Sequence, residues 1–282
     1  MSAAQMFEAY GVFRESILCA AIAGATLGFL GVYVVLRRVV FVSAAVTQSA
    51  GLGVALAFFA GIHLGVTIDP MVGATVLALL ATFALAIDTS RLRLSRESVV
   101  GLVYAASGGI AVLIGDRITQ EAHDIHAILF GSAVLVRSVD LTVVAAVAGV
   151  LLAVHVWWFR GITFAVFDPI TARVHGLPTG LLSFLVLVSV GVMAGVSARA
   201  LGAMPVFAFS TLPAMASLML VDRLSVNFAL AALIGAAAGV AGFAFAFVTQ
   251  FPVGASQTAT AAAFTAAAFV VALVRRAAAT RR

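Results

Sequence analysis

The chain has 282 residues, 63% hydrophobic and 10% charged, with a mean hydropathy of +1.19. Soluble domains are about 45–50% apolar and about 25% charged; here the apolar excess recurs along the whole length, which excludes a soluble globular domain and gives a polytopic membrane protein. The net charge of +5 rests on sixteen arginines and no lysine, and these gather at the ends of apolar segments, so the basic balance does not point to nucleic acid.

A bilayer core of about 30 Å needs about 20 apolar residues in a helix. Nine segments meet that need, some only approximately: 17–36, 41–62, 66–87, 97–115, 139–159, 179–198, 202–221, 226–248 and 256–274. The first sixteen residues mix Glu8, Arg14 and Glu15 and offer no cleavage site, so no cleavable signal peptide is expected. Cys19, the one cysteine, falls in the first span and reads as a small packing residue. Segment 119–136 is too short and too charged to span and reads as an interfacial or re-entrant piece. With the N-terminus outside, twelve arginines lie on cytoplasmic ends and four (Arg14, Arg117, Arg137, Arg199) on the outer side, which sets the orientation.

In the second span Ser43 and Thr47 are four apart and share a helix face, with Gln48 and Ser49 beside them. None ionises, so they make a mildly polar lining, of a pathway or of a packed interface. Outside, His123 and His126 share one helical face and Asp124 points about 100° away, with Glu121 just before. Imidazole and carboxylate suit zinc or manganese, although solvated loop residues have the same pattern. His155, inside the fifth span, reads as interfacial packing with a pathway role as the alternative, and Trp157 and Trp158 beside it fit an aromatic belt. Gly24 and Gly28, Gly191 and Gly195, and Gly235 and Gly239 have small-xxx-small spacing, for close packing within the bundle or for a dimer face. Pro205 and Pro213 are expected to interrupt the seventh span twice, with Ser210, Thr211 and Ser217 re-satisfying freed carbonyls or lining a wet cavity.

A polar island, Phe167 to Pro178, separates the fifth and sixth spans. Asp168 is an N-cap, Pro169 takes the first helical position, and Gly176 then Pro178 close the segment, so a separate short helix is encoded. The orientation puts it in the cytoplasm, where it offers a docking surface.

The order of these pieces resembles the metal-type permease subunits of ABC importers, over nearly the whole chain. The likeness is carried by Gly31 to Arg38, Phe41-Val42-Ser43 through Ala57, Ser98 to Tyr104, His126 to Gly131, Phe167-Asp168-Pro169 with Ala172 and Gly176, Gly202 to Ala214, and Pro252 to Ala255. It implies an all-α transmembrane bundle of about nine spans, a single permease domain over residues 1–282, in the bacterial cytoplasmic (inner) membrane. It implies a pair of permease copies, two ATPase subunits below and a solute-binding protein above. The 168–177 helix corresponds to the family's coupling helix, with Asp168, Pro169, Ala172, Arg173, His175 and Gly176 meeting the ATPase. Ser43, Thr47, Gln48, Ser210 and Pro213 are the candidate pathway residues, and His123, Asp124 and His126 a candidate outer metal cluster. The cargo implied is a divalent ion (zinc, manganese or iron), with ATP held on the partner subunit.

The family carries an Asp and a His four residues apart in the second span, and these positions fall on Ala44 and Gln48 here. That departure keeps a metal chelate or another small solute open as cargo. The chain has no G-x-x-x-x-G-K-[ST] phosphate loop, so it is not expected to hydrolyse ATP itself. A secondary carrier is the alternative from another class, but it calls for internal repeats and intramembrane acids that the sequence scarcely supplies.

Overall fold

The computed structural model describes residues 3–87, 95–118 and 136–279, and the elements within them are all helical. In order they are α1 (Ala3–Leu36), α2 (Val40–His63), α3 (Pro70–Ala86), α4 (Arg96–Arg117), α5 (Ser138–Trp157), α6 (Phe159–Phe167), α7 (Pro169–Val174), α8 (Thr179–Leu201), α9 (Ala203–Phe209), α10 (Leu212–Leu220), α11 (Leu224–Thr249) and α12 (Val253–Ala279). Among the described residues eight stretches are long and apolar enough to cross a membrane, with α9 and α10 together making one of them. The ninth predicted span is α3. It starts later than the apolar run because Gly65 turns at φ +66° and Asp69 caps the helix, its Oδ1 accepting from Met71 N–H at 2.8 Å. Its 17 residues measure about 25 Å, a little short of the hydrocarbon core.

The inner layer is α1, α2 and α8, and the periphery is α4, α5 and α12. The inner helices approach through glycine. A Cβ on Gly24 would overlap the Gly235 carbonyl, one on Gly28 that of Ala231, and one on Gly239 that of Ala20, so α1 and α11 meet backbone to backbone. Gly53 and Gly73 join α2 to α3 in the same way, and Gly191 and Gly195 of α8 close on Thr82 and Thr75 of α3. The three small-residue faces are therefore used inside the chain, which decides between the two uses the spacing allowed. Gly24→Leu is expected to lower stability by about 1–3 kcal/mol, because backbone cannot yield as a flexible side chain can. A thermal melt in detergent that matches the wild type would contradict the seam.

The seventh span is interrupted once inside, not twice. Gly202, at φ +89°, separates α8 from α9, and Pro205 then sits in the first turn of α9, where no intrahelical bond is lost. The internal break is at Ser210–Thr211, and Pro213 opens the first turn of α10. Ser210 Oγ donates to the Phe207 carbonyl at 2.8 Å and Thr211 Oγ1 to the same carbonyl at 3.1 Å, so that acceptor is paired by hydroxyls at the break. From α12, Thr265 Oγ1 donates to the Leu212 carbonyl at 3.0 Å, fixing the second half-helix.

Candidate functional site

The hairpin that carries the predicted docking residues begins at Trp158, just after α5. After α6, Asp168 leaves helical geometry and caps α7, its Oδ1 accepting from Thr171 N–H at 3.0 Å. Pro169 follows, lacking the N–H that a first turn leaves unpaired in any case. The far end is a Schellman closure: Leu177 N–H donates to the Ala172 carbonyl and Gly176 N–H to the Arg173 carbonyl, each at 3.0 Å, with Gly176 at φ +80°. Only glycine takes that φ without strain. The six-residue helix is thus fixed at both ends by its own sequence. Hydrogen bonds from the Thr171 hydroxyl, then from Thr171 N–H, hold the Asp168 carboxyl below its ordinary range.

The hairpin presents Asp168, Pro169, Arg173, His175 and Gly176 to solvent. Ala172 is the exception: it is fully buried against the bundle, so it seats α7 and cannot meet a partner. The sequence reasoning missed Phe167, Ile170 and Val174, which are 60%, 78% and 82% exposed. Ile170 and Val174, four apart, share one face of α7, and Phe167 at the end of α6 is exposed just before it, so the hairpin carries three exposed apolar side chains.

The candidate pathway residues separate into two groups. Ser43 and Ser210 hydroxyls pair at 2.8 Å across α2 and the broken span, and Thr47 Oγ1 donates to the Ala44 carbonyl at 2.9 Å. These three and Pro213 are buried within one chain, so they pack helices rather than line an open route. Gln48 stays half-buried, beside Gly108 of α4, where a Cβ would stand 3.0 Å from its Nε2. Behind it, Ser49 Oγ pairs with Ser107 Oγ at 2.8 Å. At the inner end of the same face, a cleft of about 460 Å³ is lined by Ala44, Tyr104 and Phe207, with Arg38, Arg96 and Glu97 at its mouth.

Among the described residues no group of three His, Cys, Asp or Glu could hold a metal. His123, Asp124 and His126, with Glu121, lie outside the described residues. His155 is not at the interface. It is fully buried, its ring 5.6 Å from Tyr33 and 6.3 Å from Phe29, with Nδ1 2.8 Å from the Leu151 carbonyl. Trp157 and Trp158 are exposed, as a belt requires.

A charge cluster at the outer end was not anticipated. Asp140, on the first turn of α5, is buried and accepts from Arg199 Nη1 at 2.6 Å and Arg137 Nη2 at 3.0 Å. Arg137 Nη2 also reaches Asp69 Oδ2 at 3.2 Å, so the ends of α3, α5 and α8 are held together. The signal was present: Arg137 and Arg199 are two of the four arginines on the side where positive charge is sparse, and such residues need local partners.

The sequence pattern of the ABC 3 transport family matches residues 9–275. The manganese transport system membrane protein MntC of Halalkalibacterium halodurans is 23% identical over 260 residues, 92% of this chain and 87% of that one. The manganese import system permease protein ScaB of Streptococcus parasanguinis is 25% identical over 266 residues, 94% of this chain and 92% of its own length. The structure of PsaBC from Streptococcus pneumoniae in complex with Fab has the same fold, with a TM-score of 0.82 at 21% identity over 95% of each chain.

Proposed function

This chain belongs to the ABC 3 transport family and is a multi-pass protein of the bacterial cytoplasmic membrane, and from that premise we propose that it is the permease subunit of an ATP-driven importer for a divalent metal ion. Manganese is the cargo named for the relatives MntC and ScaB; zinc and iron(II) carry similar charge and ligand demands. Two copies would flank the pathway, take the ion from a solute-binding protein, and expose it alternately to each side. ATP is hydrolysed on a separate pair of subunits that grip the Asp168–Gly176 hairpin. The observation that supports this best is the hairpin itself, capped at both ends and carrying the exposed side chains of Phe167, Ile170 and Val174.

A second reading changes the cargo alone. The two positions Ala44 and Gln48 carry neither carboxylate nor imidazole, and the cleft beside them is lined by two arginines against one glutamate. A complexed or neutral solute suits that lining better than a bare dication. The reconstituted complex with its binding protein separates the two: ATPase activity is expected to rise when manganese is added. Stimulation only by a chelate, with none by the free ion, would select the second reading.

A further inference from the structure

Where the hairpin leaves the bundle there is a cleft of about 620 Å³ with largely apolar walls. Trp157, Trp158 and Arg160 line it from the junction of α5 and α6, and Pro178, Leu181 and Leu182 line it from the start of α8. Trp157 is 86% exposed and Trp158 50% exposed. Arg160 is exposed as well, and among the described residues it forms no ion pair. Pro178 gives α8 no side-chain cap, so the positive end of that helix dipole falls at the same rim and adds to the charge of the guanidinium. An apolar slot with one cationic group in its lining has the chemistry of a phosphate ester with a hydrocarbon tail.

Depth argues for a lipid over a protein. The twenty residues of α5 measure about 30 Å, so Trp157 ends at the inner boundary of the hydrocarbon. The slot also takes in Leu177 and Pro178, which come just after α7, so a lipid held there would sit against the root of the hairpin. We propose that the cleft binds one anionic phospholipid of the cytoplasmic leaflet, its phosphate on Arg160 and an acyl chain against Trp157, Trp158 and Leu181. The walls belong to the two chain segments that flank α7, so the lipid braces both legs of the hairpin. Binding itself needs only the membrane placement; a mechanical effect on transport rests on the coupling role proposed above.

Trp157 and Trp158 are the two tryptophans of the chain, so intrinsic fluorescence reports on this cleft alone. The purified full chain is reconstituted in phosphatidylcholine vesicles carrying brominated phosphatidylglycerol or brominated phosphatidylcholine at equal mole fraction. Phosphatidylglycerol is expected to win by about fivefold, the preference one arginine near the surface supplies. Arg160→Gln removes the preference, Arg160→Lys keeps it, and Arg173→Gln, on α7 and outside the cleft, keeps it. Raising salt from 0.1 to 1 M collapses it in the wild type, a readout that needs no variant. Equal quenching by the two lipids, a preference that survives Arg160→Gln or high salt, or shielding of both tryptophans from either lipid by a second copy would each overturn the proposal. None of these readouts involves ATP or cargo, so failure here leaves the importer reading standing.

Discussion

Gly176→Trp and Asp168→Arg are each expected to abolish cargo uptake while the protein remains in the membrane at its normal level. At φ +80°, any residue with a Cβ strains the turn by about 1–3 kcal/mol, and the indole adds bulk where a partner must seat. Asp168→Arg removes the acceptor for Thr171 N–H and sets a cation at the positive end of α7. Neither position is buried in the bundle, so membrane insertion should not notice. Uptake assayed in vesicles against protein level by blot gives the answer, and normal uptake by both variants would reject the coupling role. Acid alone should not reproduce the defect. The Asp168 carboxyl titrates below its ordinary value of 3.8 in the fold, so its contribution is complete above that value and is lost only as pH falls through the depressed one. Uptake should show no titration of this cap between about pH 5 and 8.

Asp140→Leu is expected to cause the largest loss of stability, about 3–5 kcal/mol, because it leaves Arg199, whose side chain is only 18% exposed, without its counter-ion. The double variant Asp140→Leu with Arg199→Leu should regain most of that loss, since neither charge is then stranded. Thermal melts of the purified chain measure both. A single variant as stable as the wild type would mean that water, not the pair, already solvates Arg199.

Much of this architecture is legible in hydropathy and local signals. The nine apolar runs recur as helices, and the cap and turn residues Asp168, Pro169 and Gly176 encode α7 without help from the rest of the chain. Pro205 shows the limit of local reasoning. Its cost depends on its place within a helix, and the positive φ of Gly202 restarts the helix just before it. Ala172 and Ile170 lie two apart on α7, and nothing in their local sequence says which one turns inward; the bundle decides. The hydroxyls of Ser43 and Ser210 are 167 positions apart, and Asp140 and Arg199 are 59 apart. Long-range pairs of this kind need three-dimensional adjacency. The glycine faces announce close approach but do not name their partners.

The backbone contact between α1 and α11 limits how the molecule can move. Where side chains separate two helices, a change of rotamer lets one slide on the other. Where carbonyls meet glycine Cα atoms there is nothing to rearrange. These two rods therefore travel as one stave. The freedom to reshape an internal space belongs to the joints at Gly202 and Ser210–Thr211, where the backbone leaves helical geometry between packed segments. In a barrel of staves it is the spliced plank that flexes, and here the splice stands directly beside α2.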